Sequence, residues 1–130
     1  MFVLDASVVA KLGIPEEGSG RLRAWYEEAG RGGASFAAPG LLGWELGRVL
    51  QKAHPRTAPA ELAALHAALL SHMRLVASPA EETFALLKTG LNYYDGSYVA
   101  LAQKEGATLV TADREMAKAA RASGVGVLEF

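Results

Sequence analysis

Apolar positions along this chain alternate between two spacings. Short continuous runs occur at Phe2-Val3-Leu4, at Ser35-Phe36-Ala37-Ala38 (stopped by Pro39), at Leu75-Val76-Ala77, at Thr108-Leu109-Val110-Thr111 and at Gly126-Val127-Leu128-Glu129. Runs of this length separated by helical patterns predict buried strands of a parallel sheet covered on both faces. Between them, Leu22, Trp25, Tyr26 and Ala29 fall on one helical face, as do Leu42, Leu46, Val49, Leu50 and Ala53, and then Leu62, Leu65, Leu69, Leu70 and Met73. Ser78-Pro79-Ala80-Glu81 reads as a capping box with proline at the first helical position, opening a helix with Phe84, Leu87 and Leu91 on its apolar face. Tyr98, Leu101, Ala102 and Glu105 continue a helix after Asp95, with Gly106 placed to end it. Met116, Ala119, Ala120 and Ser123 form the last helix, closed by Gly124, and the segment from His54 to Pro59 reads as a turn between two helices. The expectation is an α/β fold with a central parallel sheet of about five strands flanked by α-helices.

Composition narrows the function classes. A chain of 130 residues suits a single domain over residues 1–130, and its 51% apolar content excludes disorder as the main reading. It has no cysteine, which excludes disulfides, thiolate zinc sites and cysteine nucleophiles. With no basic, apolar leader and no run of membrane-spanning length, a soluble, cytoplasmic protein with no membrane association is expected. The net charge of −1 lacks the basic surplus typical of nucleic-acid binders. Gathering four acids in one metal site would change that balance elsewhere, to 13 basic against ten acidic residues.

Four acids stand where a fold does not need them. Asp5 and Asp113 each follow a strand, the position that opens onto the ligand crevice of open α/β sheets. Glu45 lies on or beside the apolar stripe of its helix, a costly place for a charge without a partner or a metal. Asp95 opens a helix after Asn92-Tyr93-Tyr94. Singly, Asp5, Asp95 and Asp113 each read as helix N-caps, and Glu45 as a side chain with a buried stem and an exposed tip. Jointly they suit a carboxylate cluster that binds Mg²⁺ or Mn²⁺, the hard cations favoured by oxygen-only ligands. There is no strand-end serine–histidine arrangement, no phosphate-binding glycine loop and no dinucleotide fingerprint; His54, His66 and His72 read as surface residues.

The residues around these acids resemble a known family. Asp5-Ala6-Ser7-Val8-Val9-Ala10-Lys11-Leu12, followed by Pro15-Glu16-Glu17, resembles the N-terminus of VapC toxins, which are PIN-domain proteins. Tyr94-Asp95-Gly96-Ser97-Tyr98-Val99-Ala100-Leu101-Ala102 and Leu109-Val110-Thr111-Ala112-Asp113 resemble their third and fourth acidic motifs, and Trp44-Glu45-Leu46 the looser second one. The resemblance runs nearly end to end. It implies a five-stranded parallel sheet between helices, and a ribonuclease that cleaves RNA with Mg²⁺ or Mn²⁺. By the same resemblance, Asp5, Glu45, Asp95 and Asp113 are the metal-binding and catalytic acids, a cognate antitoxin is the partner, and the chain forms a homodimer or higher homo-oligomer. Glu115 follows where some members carry a further acid or amide, and it is not assigned to the site.

Around the acids, Ser7 and Thr111 are expected to orient carboxylates or water, with local capping as the competing account for Ser7. Lys11, Arg48 and Arg114 are the expected RNA contacts, while Lys52 reads as solvated and Arg48 has an ion pair with Glu45 as its alternative. Tyr93 and Tyr94 have either base stacking or packing open to them, with packing favoured for Tyr94. Trp25 reads as core, and Trp44 as partly exposed and available to an antitoxin or a second copy. Three other functions compete: a PIN-like RNA-processing nuclease without a toxin role, a PIN-like binding module without catalysis, and a phosphoacceptor receiver domain. The last would want an acidic pair at the first strand and a lysine after the last, and this chain has neither.

Overall fold

The computed structural model describes all 130 residues. Five strands, β1 (Phe2–Leu4), β2 (Phe36–Pro39), β3 (Met73–Val76), β4 (Thr108–Thr111) and β5 (Val127–Glu129), form one sheet in the order β3-β2-β1-β4-β5. Every pairing is parallel. The helices are α1 (Ala6–Gly13), α2 (Ser19–Arg31), α3 (Leu42–Ala53), α4 (Pro59–Leu70), α5 (Ala80–Leu86), α6 (Tyr93–Glu105) and α7 (Arg114–Ala122), with a 3₁₀ turn at Leu87–Thr89. No helix is long and apolar enough to cross a membrane.

This order fixes the site. The chain winds outward from β1 through β2 to β3, then crosses back to β4 on the other side of β1. The reversal opens a crevice at the carboxyl ends of β1 and β4, where open α/β sheets bind ligands. Phe2, Val3 and Leu4 pair with Thr108, Leu109 and Val110, so Asp5 leaves β1 beside Thr111. The Asp5 amide donates to the Val110 carbonyl at 3.2 Å, extending the ladder to the last residue before the crevice. The crossover from β3 carries α6 over β1, β2 and β4. It runs against the strand direction, so its first turn arrives at the crevice edge.

Burial follows this layering. Val3, Leu4, Leu109 and Val110 are fully buried, as expected for central strands covered on both faces. Gly96 through Ala102 of α6 are all buried, because the helix lies between the sheet and α5. Phe2, Trp25, Phe36 and Phe130 pack as an aromatic cluster, with Trp25 edge-on to Phe2 at 5.1 Å, so Trp25 serves packing as its spacing predicts.

Several local expectations fail for identifiable reasons. Pro39 ends β2 from within instead of standing beyond it; its missing donor falls at the last position, and the next amide, of Gly40, bonds the Val76 carbonyl at 2.9 Å. Met73 belongs to β3 and not to the preceding helix, which stops at Leu70. As the edge strand β3 exposes Arg74 and Leu75, so it does not read as a continuous apolar run. Ser78 does not cap α5: Pro79 holds the N-cap position, and the Thr83 hydroxyl donates to the Pro79 carbonyl at 2.7 Å. Thr83 and Leu86, rather than Phe84 and Leu87, face inward, so α5 is turned relative to its predicted face. His66 is half-buried rather than superficial, its Nε2 at 2.7 Å from the Gly43 carbonyl, and it ties α4 to α3.

Candidate active site

Asp5 is 2% exposed and held from three sides. Its Oδ1 accepts the Val8 amide at 3.2 Å, capping α1, and the Ser7 hydroxyl at 2.6 Å. Its Oδ2 accepts the Thr111 hydroxyl at 2.5 Å. Each hydroxyl also accepts a backbone proton from the loop after β4: Ser7 from Ala112 at 3.1 Å, Thr111 from Asp113 at 3.0 Å. The two strand-end loops are thus joined through one carboxylate. Ser7 does not cap α1, which Asp5 caps; its hydroxyl instead holds the Asp5 carboxylate and the loop after β4. Burial pushes the Asp5 carboxyl up, its three donors pull it down, and the charge of Asp113 adds to the rise; the net direction is upward.

Glu45 sits in the first turn of α3 and is half-buried. Its Oε1 accepts the Tyr98 phenol at 2.7 Å, which orients the carboxylate and leaves Oε2 outside that bond. Burial raises the Glu45 carboxyl, the Tyr98 bond lowers it, and the charges of Asp95 and Asp5 raise it further. Burial and the same carboxylates push the Tyr98 phenol far upward, so Tyr98 remains a donor.

Asp95 does not cap its helix. Asn92 is the N-cap of α6, and its side chain accepts the Asp95 amide at 2.8 Å. The Asp95 carboxylate is therefore not engaged in the cap, and burial followed by the charge of Asp113 raises it. Asp113 caps α7 through Oδ1 alone, which accepts the amides of Glu115 at 2.9 Å and Met116 at 3.2 Å.

All four acids line a single cavity of about 410 Å³, together with Tyr98, Ser7, Lys11 and Glu16. The two ion pairs of the chain, Arg74–Glu105 and Arg121–Glu129, lie elsewhere, so none of the four carboxylates is in an ion pair. No three acids are already gathered as a ligand cage. Separate carboxylates around one cavity, with those of Asp5, Glu45 and Asp95 raised by burial and by neighbouring charges, fit a hard divalent cation that keeps part of its water shell.

The remaining site expectations divide. Lys11 lines the cavity, whereas Arg48 faces a separate groove with Trp44 and His66 and makes no ion pair with Glu45. Arg114 is exposed and does not line the cavity, and Thr111 lies buried beneath it. Tyr94, expected to pack, is 62% exposed; Tyr93 does the packing, against Phe84. Trp44 is 86% exposed, more than its place beside the stripe suggested. Tyr98 and Glu16 were not among the expected site residues. Tyr98 had a signal, since it stands three positions after Asp95 and a buried phenol needs a partner. Glu16 sits in a loop, where periodicity is silent.

The sequence matches the PIN domain family over residues 2–122. It is 34% identical over 123 residues to Ribonuclease VapC3 of Pyrobaculum aerophilum, covering 89% of this chain and 92% of the relative. Among solved structures it is similar to VapBC2 from Rickettsia felis bound to a DNA fragment from their promoter, with a TM-score of 0.72, 17% identity and coverage of 98% of this chain and 97% of the other. It is also similar to Mycobacterium tuberculosis VapC20, a Sarcin-Ricin loop cleaving toxin, with a TM-score of 0.70, 15% identity and coverage of 92% and 95%.

Proposed function

Because this chain belongs to the PIN-domain family, we propose that it is a metal-dependent endoribonuclease acting as the toxin of a VapBC-type toxin–antitoxin pair. The observation that carries the reading is the convergence of Asp5, Glu45, Asp95 and Asp113 on one cavity at the topological switch of the sheet. A binding module without catalysis would have no use for four carboxylates around one cavity, none of them in an ion pair.

Asp5, Asp95, Asp113 and Glu45 would hold Mg²⁺ or Mn²⁺. When bound, such an ion offsets negative charge on phosphate oxygens and makes water a stronger acid. Ser7 and Thr111 keep the Asp5 carboxylate in one orientation, and Tyr98 does the same for Glu45. Glu45 is the acid suited to accept a proton from the attacking water, at Oε2, because the Tyr98 phenol holds Oε1 and leaves Oε2 outside that bond. Water adds to phosphorus, one P–O ester bond breaks, and a phosphomonoester and a hydroxyl end result. Lys11 extends into the same cavity and supplies a cation for the incoming phosphate.

Residues 1–130 form the nuclease unit in this reading, working in the cytoplasm as a homodimer or higher homo-oligomer. An antitoxin holds it inactive. The similarity to VapBC2 supports such a partner, and the exposed Trp44 offers an anchor for it or for a second copy.

The test is cleavage of a mixed RNA panel by purified protein with Mn²⁺, with Mg²⁺ and with EDTA, beside Asp5→Asn. Defined cuts that need metal and vanish in the variant are expected. No cleavage, together with no metal bound in calorimetry, would sink the nuclease reading.

A further inference from the structure

A second cavity lies at the opposite end of the sheet from the acids. It measures about 530 Å³, within the size range of small-molecule sites, and shares no lining residue with the acid cavity. Its walls come from the end of α2, the segment entering β2 and the start of β3, so it opens at the amino ends of those strands. Where the first cavity is ringed by carboxylates, this one is lined by Arg31, Arg74 and His72, with Glu27 as its one acid.

The arginines are available to a ligand. Arg31 and Glu27 stand four positions apart on α2, the spacing of a helical ion pair, yet form none. Arg74 pairs loosely: its Nη2 lies 3.7 Å from the Glu105 carboxylate, beyond the length of a charge-assisted hydrogen bond, and its side chain is 54% exposed. Gly30 carries a separate signal. A glycine inside a helix costs stability relative to alanine. Gly30 lacks the positive φ that would call for glycine, and a Cβ there would only touch the Phe36 ring at 3.9 Å. Neither the backbone nor a clash demands its bare Cα, and the missing side chain leaves open the cavity that Gly30 lines. Tyr26, half-buried and stacked on Phe36 with ring centroids 4.6 Å apart, makes one wall aromatic.

We propose that this cavity binds a nucleoside phosphomonoester, its phosphate held by Arg31, Arg74 and His72 and its base laid along Tyr26. The planar fork of arginine matches phosphate oxygens in pairs, and nucleobases stack readily on aromatic side chains. A terminal phosphate carries more charge than a diester and gains more from several cations at once. Two sources share this chemistry: a free mononucleotide and the 5′-phosphate end of an RNA strand. The cavity is separate from the acids, so the proposal does not depend on the ribonuclease reading.

The test is calorimetric titration of the whole protein in EDTA, which keeps divalent cations from carrying phosphate to the acids. The probes are AMP and adenosine. AMP should bind, and adenosine should bind at least about tenfold more weakly, the effect of losing a hydrogen bond to a charged group. Arg31→Ala should weaken AMP by a similar factor. Gly30→Leu should abolish AMP binding by filling the cavity while keeping the melting temperature, and Asp95→Asn, on the other cavity, should leave AMP affinity unchanged. If Gly30→Leu does not fold, the exposed Arg31 still decides. No AMP binding, equal binding of adenosine, or unchanged AMP affinity in Arg31→Ala overturns the proposal. So does loss of AMP binding in Asp95→Asn, which would put the nucleotide at the acids. Two RNA oligomers of one sequence, ending in a 5′-phosphate or a 5′-hydroxyl, then separate the sources. A preference for the phosphorylated strand that Arg31→Ala removes assigns the cavity to RNA ends; AMP binding without that preference assigns it to free nucleotides.

Discussion

At the cavity, capping a helix and facing the crevice are not mutually exclusive. Asp5 and Asp113 cap α1 and α7 and still face the cavity, while Asp95, read from sequence as an equally good cap, leaves that work to Asn92. Asp95→Asn should therefore abolish metal-dependent cleavage and leave the metal-free melting temperature unchanged or higher, since it removes a repelling charge and no cap. A lower melting temperature with cleavage retained per folded molecule would return Asp95 to a structural role. Tyr98→Phe removes the donor to Glu45 and little volume. It should lower Mn²⁺ affinity or activity by about 10- to 100-fold, the usual effect of losing a ligand-orienting bond, read by calorimetry and by initial rates. The four acids that line the cavity stood out because two followed strands, one sat on an apolar stripe and one opened a helix. Tyr98 was hidden because its spacing also fits a helix core.

At the scale of elements, legibility tracked burial on both sides. β1 and β4 lie in the middle of the sheet, and their apolar runs mark their bounds. β3 lies at the edge, so its exposed Arg74 and Leu75 blurred the pattern, and its first residue read as helix. α5 misled more deeply. Its Ser-Pro-Ala-Glu opening carries the letters of a capping box, yet the bond that secures the turn is Thr83 to the Pro79 carbonyl. Thr83 is fully buried, so Thr83→Val keeps shape and loses one hydrogen bond, at a cost of about 1 kcal/mol. Ser78→Ala should change stability by less than about 0.5 kcal/mol. Denaturant unfolding of the two variants decides which side chain secures the turn; a larger loss from Ser78→Ala would reverse the assignment.

The whole molecule holds a strained charge balance at one edge. Asp5, Glu45 and Asp95 all have carboxyls raised above their ordinary values of 3.8, 4.5 and 3.8. For an acid raised on folding, the native state binds more protons than the unfolded one. The stabilisation is full below the ordinary value and is lost as pH rises through the raised one. The melting temperature in EDTA should thus carry a declining contribution from about pH 4 upward, and Mn²⁺ should reverse it near neutrality by replacing the protons. Thermal melts across that window with and without Mn²⁺ measure it; identical profiles would mean that the acids do not bind the ion.

The bond from Thr111 to Asp5 joins two ends of the molecule 106 positions apart. During synthesis, Asp5, Ser7 and Glu45 leave the ribosome early, but the strand that completes the crevice is among the last to appear. Until then the first acids lack β4 and the loop after it, whose Thr111 hydroxyl and Ala112 amide fix Asp5 and Ser7. A chain made in this order cannot close the crevice until β4 has paired with β1.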